Sequence, residues 1–136
     1  YEGSRSKIAA LDCHGRLDLL NLSFSQMLSD GLPLRGAEPQ HFVFSTGLFD
    51  YVSEAKAKSL VKHLYDLLAP GGLLAVGNAV APNEIFWATE FLVDWTLLFR
   101  TRKEMLELTA VLPEGAEKNV VEEPSGAYHF LLVRKH

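Results

Sequence analysis

A strand, a helix and a second strand follow one another between residues 41 and 81 with almost no chain to spare. This run limits the fold more than any other feature. "HFVFSTG" (41–47) is short, apolar and closed by a glycine. "SEAKAKSLVKHLYDLL" (53–68) puts Leu60, Val61, Leu64, Leu67 and Leu68 on one helical stripe, with Ser53 as the expected N-cap. Lys56, Ser59, Lys62, His63 and Asp66 form its wet face. After the breaker "APGG", "LLAVGNAVA" (73–81) is apolar on both faces, as a strand buried in a parallel sheet is. Short joints make this a βαβ unit, for which a right-handed crossover is expected.

The flanks extend the pattern. Residues 4–13 carry a weak helical periodicity ended by Gly15, and "RLDLLNLSF" (16–24) is expected to be a strand. Ser23 and Gln26 have the spacing of a capping box, which starts a short helix "SQMLS". "GLPLRGAEPQ" (31–40), with two prolines and two glycines, is a loop. Apolar residues dominate "NEIFWATEFLVDWTLLF" (83–99), which is expected to be a helix. Thr101 and Glu104 make a second capping box for the helix "RKEMLELTAVL", stopped by Pro113. Two β-rich runs around "EPSG" near the end make a hairpin. The expected fold is α/β, a mostly parallel sheet with a C-terminal antiparallel hairpin, in one domain over 1–136.

Bulk properties exclude several functions. A formal net charge of −4 with scattered basic residues argues against a nucleic-acid partner held through phosphates. Cys13 is the single cysteine, so no internal disulfide and no cysteine-rich metal site can form, which fits a reducing, cytoplasmic setting. No apolar run approaches the ~18 residues of a membrane span. No two of the five histidines have metal-ligand spacing, and no Ser-His-Asp arrangement suggests itself; neither a metal nor a catalytic residue is expected.

Four segments together are more specific: "FSTGLFDYVS", "LYDLLAPGGLLAVGN", "FLVDWTLLFRTRKEML" and the terminal "YHFLLVRK". They resemble the C-terminal two-thirds of a class I S-adenosylmethionine-dependent methyltransferase, from about residue 16 onward. Within that class the resemblance is nearest to the bacterial methyltransferases of hydroxy-fatty-acid methyl ester biosynthesis. The resemblance implies a Rossmann-like methyltransferase fold lacking its N-terminal strands. It also implies S-adenosyl-L-methionine as cofactor and a small or lipid-like acceptor. Such enzymes hold the cofactor partly with a glycine-rich turn after their first strand, and none of the ten glycines forms such a cluster here. The chain is therefore expected to be part of a longer enzyme, unable by itself to complete the cofactor site. Half of a nicotinamide-dependent Rossmann enzyme fits less well, leaving the hairpin and "LAPGG" unexplained.

Ligands of open α/β sheets sit at the carboxyl ends of the strands. On the resemblance, Ser23 and Phe24 border the adenine, while Ser45, Thr46, Gly47, Asp50 and Tyr51 line the path of the cofactor. Gly47 lets backbone approach a ligand closely, and the Tyr51 ring or the Asp50 carboxylate favours a sulfonium cation. Each has a plain alternative: Ser23 as a helix cap, Phe24 as core, Asp50 and Tyr51 as an ordinary turn. Asn78, Trp95, Phe99 and Arg100 are the candidate substrate residues. Asn78 could orient an acceptor or satisfy a turn. Trp87, Phe91, Trp95 and Phe99 recur every fourth residue, as core or as the wall of an acceptor pocket. Arg100 could grip a carboxylate through two parallel bonds or serve as a helix-end cation. Methyl transfer from a sulfonium is an in-line displacement that positioning can accelerate, and an ionised carboxylate acceptor needs no base.

The missing first strand of such a fold would lie beside "HFVFS". Either the "LDLLNL" run or a second chain is expected to cover that edge, since bare apolar edges are rare. The alternative function is a non-catalytic interaction or dimerisation module with a truncated methyltransferase fold.

Overall fold

The sheet of this computed structural model is built outward from the 41–81 run. Residues 3, 6–7, 18, 20–27, 37–81, 94 and 96–136 are described. The elements are α1 (Phe24–Met27), β1 (Gln40–Ser45), a 3-10 turn (Phe49–Tyr51), α2 (Glu54–Asp66) and β2 (Leu68–Ala79). After these come α3 (Arg102–Glu107), a second 3-10 turn (Leu108–Val111), β3 (Glu117–Glu122) and β4 (Tyr128–Arg134). The strand order is β1-β2-β4-β3, with β1 parallel to β2 and both other pairings antiparallel. This is the expected α/β sheet with its C-terminal hairpin.

One face of the sheet carries the core. Leu74 and Val76 of β2, Leu131 and Val133 of β4 and Val120 of β3 alternate inward, as a period-two pattern requires. Against them pack Ala57, Leu60, Val61, Leu64 and Tyr65 of α2 with Met105 and Leu108. Lys62 and Asp66 pair one turn apart on the outer face of α2, 2.5 Å apart. Ser53 occupies the N-cap position of α2 but its side chain makes no capping bond. Thr101 does cap: its hydroxyl accepts from the Glu104 amide at 3.3 Å, and the Glu104 carboxylate accepts from the Thr101 amide at 2.8 Å. Replacing Thr101 with alanine is expected to cost about 1 kcal/mol in chemical denaturation; an unchanged midpoint would contradict the capping role.

Three expectations need correction. Strand β2 begins at Leu68 rather than 73, because "APGG" forms a bulge instead of a turn. Gln40 pairs with Leu68 and Phe42 with Leu73, so the spacing of two residues in β1 matches five in β2. Gly72 permits this, since a Cβ there would lie 2.8 Å from the carbonyl oxygens of Ala69 and Gln40. The 16–24 run is not a strand where it is described. Asp18 and residues 20–23 carry no regular structure, and α1 starts at Phe24 because Ser23 caps it. Ser23 donates its amide to Gln26 Oε1 at 2.8 Å and accepts the Gln26 amide on Oγ at 3.3 Å. Finally, the helix expected over 83–99 does not extend to residues 96–99. There the Leu98 amide donates to the Asp50 carbonyl at 2.7 Å, a tertiary bond in place of a helical one. Residues 83–93 and 95 lie outside the described residues.

Among the described residues β1 is an edge strand, and the described part of the "LDLLNL" run does not pair with it. Phe42 and Phe44 stack on its outer face, ring centroids 5.6 Å apart, and are 55% and 65% exposed. No helix among the described residues is long and apolar enough to cross a membrane.

Candidate ligand corner at the carboxyl ends of β1 and β2

β1 ends at Ser45, which is in register with Val76 of β2. Thr46 is exposed, and Gly47 turns the chain with φ +74, where an added Cβ would meet nothing within 4 Å. A side chain in that left-handed conformation costs about 1–2 kcal/mol, so glycine suits both the turn and the open space beside it. The 3-10 turn then sends its residues in different directions. Phe49 is fully buried in the core, Asp50 is 2% exposed, and Tyr51 stands 52% exposed.

Asp50 is held from two sides. Its Oδ1 accepts the Ala79 amide at 2.7 Å, and its backbone carbonyl accepts the Leu98 amide. Burial pushes its carboxyl above the ordinary value of 3.8, and the Ala79 N–H and the Arg100 charge only partly oppose this. A raised folded-state value means that the native protein binds a proton the unfolded chain has already released. That stabilisation is complete below the unfolded value and is lost as pH rises through the folded one. The stability of Asp50→Asn relative to the parent is therefore expected to increase between pH ~3 and pH ~7. A difference that stays flat or declines in paired denaturation curves would contradict the raised value.

Arg100 and Asn78 meet behind this turn, both buried. The Arg100 guanidinium donates to the Phe49 carbonyl at 2.7 Å, to the Val52 carbonyl and to Asn78 Oδ1. The Asn78 amide nitrogen donates to the carbonyls of Ala79 at 3.0 Å and Leu98 at 2.9 Å. All these polar groups are thus spent on the protein. The Arg100 guanidinium thus has three internal acceptors, and the Asn78 amide is likewise engaged within the fold. Burial lowers the Arg100 guanidinium from its ordinary value, against the raising effect of Asp50.

Of the sequence candidates, Ser45, Thr46, Gly47, Asp50, Tyr51, Asn78 and Arg100 come together at this end of the sheet. Ser23 is exposed and its hydrogen bonds with Gln26 are local to the start of α1. The Phe24 side chain and Trp95 lie outside the described residues. Phe99 is half-buried just before Arg100. Two residues were missed. Tyr128 opens β4 in register with Ala79, and burial raises its hydroxyl above 10.0, helped by the charges of Asp50 and Tyr51. His129 follows, with Nδ1 3.3 Å from the Arg100 carbonyl and Nε2 3.4 Å from Glu122 Oε2. Antiparallel pairing with β2 brings both there, since it sets the start of β4 beside the end of β2.

No family model and no curated protein matches the chain. Solved structures do. An O-methyltransferase family protein from Burkholderia thailandensis aligns with 98% of this chain and 40% of its own, at TM-score 0.60 and 17% identity. The fold is class I methyltransferase-like. Human N-acetylserotonin methyltransferase, solved with S-adenosylmethionine, aligns over 80% of this chain and 32% of its own, at TM-score 0.57 and 17% identity. The pyocyanin biosynthetic protein PhzM aligns over 73% and 31%, at TM-score 0.55 and 14% identity. The chain spans 27% to 44% of the length of such structures. It corresponds to part of the methyltransferase-like fold, with the described corner at its strand ends.

Proposed function

We propose that the chain serves S-adenosylmethionine-dependent methyl transfer to a small or lipid-like acceptor, as part of a longer enzyme acting in the cytoplasm. One observation carries this reading: a glycine with open space beside it and an exposed tyrosine share one corner at the carboxyl end of β1, in a methyltransferase-like fold. Ser45, Thr46, Gly47 and Tyr51 would hold one side of the cofactor, with Asp50 behind them. The cofactor, when bound, supplies an activated methyl group on a sulfonium. The chain's own part is to bind and orient: Gly47 admits the ligand to the backbone, and the Tyr51 ring offers a π face to a cation, worth ~0.5–2 kcal/mol. Ser23 and Phe24 are carried as a border of the adenine, and Trp95 and Phe99 as a wall of the acceptor site. The narrower reading, a hydroxy-fatty-acid acceptor, rests on the resemblance of "GLFDY" and the "DW…R" segment.

Calorimetric titration with S-adenosylhomocysteine tests the reading. Binding is expected for the full gene product and not for residues 1–136 alone, which lack a glycine-rich turn. A full gene product that binds neither this ligand nor S-adenosylmethionine would sink it. A second reading, a homodimer joined through the β1 edge, is favoured by the exposed, stacked Phe42 and Phe44. Sedimentation of the full gene product as a monomer at every concentration would remove it.

A further inference from the structure

We infer that Arg100 is a positioning residue, a staple that holds the ligand corner in its binding shape; this rests on the proposed cofactor site. The segment in question is the single turn of 3-10 helix at Phe49–Tyr51. By itself it is poorly secured. Its own bonds, from the Tyr51 amide to Leu48 and from the Val52 amide to Phe49, are long at 3.2 and 3.3 Å. A lone 3-10 turn has little intrinsic stability.

Arg100 supplies what the turn lacks. Its two terminal nitrogens reach the carbonyls of Phe49 and Val52, one at each end of the turn, and the first also holds Asn78 at the end of β2. The guanidinium is therefore a bridge between the turn and the sheet. Its own backbone is fixed in turn: the Arg100 amide donates to the Ala79 carbonyl at 3.3 Å, and His129 Nδ1 lies 3.3 Å from its carbonyl. Asp50, clamped by Ala79 and Leu98, completes the hold on the same three residues. The parts left facing outward are the Tyr51 side chain and the open side of Gly47.

The requirement is for arginine in particular. Three acceptors, two on one terminal nitrogen and one on the other, match a planar fork of five N–H donors, whereas the ammonium of lysine is a single point on a flexible stem. Lysine at position 100 keeps the charge and loses the span.

The test uses the full gene product with Arg100→Met, Arg100→Lys and Asn78→Ala, and with Met105→Ala as a buried control distant from the turn in sequence. Affinity for S-adenosylhomocysteine is measured at a temperature where circular dichroism shows each protein folded, alongside hydrogen exchange of the amides of residues 49–52. Both Arg100 variants are expected to bind roughly tenfold or more weakly, with faster exchange at 49–52 and unchanged exchange in α2. Asn78→Ala is expected to show a smaller loss in the same direction, and it serves if the Arg100 variants do not fold. Met105→Ala is expected to lose thermal stability and keep its affinity, which separates positioning from general destabilisation. Parent-like affinity and exchange in folded Arg100 variants overturn the inference, as does an equal affinity loss in Met105→Ala. If the parent itself does not bind, the cofactor reading fails, and unchanged exchange at 49–52 in the Arg100 variants then overturns the staple separately.

Discussion

Replacing Phe49 with alanine is expected to lower the unfolding free energy by about 3–5 kcal/mol. Phe49 is fully buried in the same cluster as Leu60, Leu64, Met105 and Leu131, so truncation removes apolar contact and leaves a cavity. The cluster draws on α2, α3 and β4, and elements fixed to one sheet can collapse only partly into the space. The residue also opens the 3-10 turn, and its carbonyl receives the Arg100 guanidinium. Loss of the ring therefore loosens the anchor of the ligand corner as well as the core. Urea denaturation monitored by circular dichroism would show a lower midpoint; a loss below about 1 kcal/mol would mean that the ring is not packed as described.

A second large effect is expected at Arg100. Methionine can occupy the space of the side-chain stem but cannot donate. The carbonyls of Phe49 and Val52 and Asn78 Oδ1 would each lose a charged partner within the fold. A buried polar group left unsatisfied costs about 1–3 kcal/mol, so a total near 3 kcal/mol is expected even if water reaches some of the three. Asp50 would also lose the positive charge that opposes the rise in its pKa. Arg100→Met should accordingly lose more stability at neutral pH than at acid pH, where Asp50 is protonated. A neutral effect on stability would show that solvent already satisfies the three acceptors.

The parts of this fold visible in the sequence were those decided locally. The two capping boxes, at Ser23 with Gln26 and at Thr101 with Glu104, need only a hydroxyl and an amide or carboxylate three residues apart. The α2 stripe of Leu60, Val61 and Leu64 needs only a period of 3.6. The hairpin around "EPSG" follows from its turn residues and the β-branched runs beside them. Two failures came where a distant partner decided the outcome. "APGG" reads as a turn until the close approach of the Gln40 carbonyl to Gly72 makes it a bulge. Residues 96–99 read as the end of a helix, but the Asp50 carbonyl takes the Leu98 amide.

The candidate site divides in the same way. Gly47, Asp50 and Tyr51 could be placed at a strand end because β1 and its glycine were evident. The partners of Arg100 could not, since its acceptors lie 22 to 51 positions away in sequence. A cation looks the same on paper whether it awaits a substrate or holds two carbonyls. Tyr128 and His129 needed the register of β4 against β2, which the hairpin alone does not reveal.

The most direct test of the central claim is an experimental structure of the full gene product with bound S-adenosylhomocysteine. Its thioether sulfur is expected beside Gly47 and Tyr51, with Arg100 still donating to Phe49, Val52 and Asn78. Ligand bound away from the carboxyl ends of β1 and β2, with this corner closed, would contradict it.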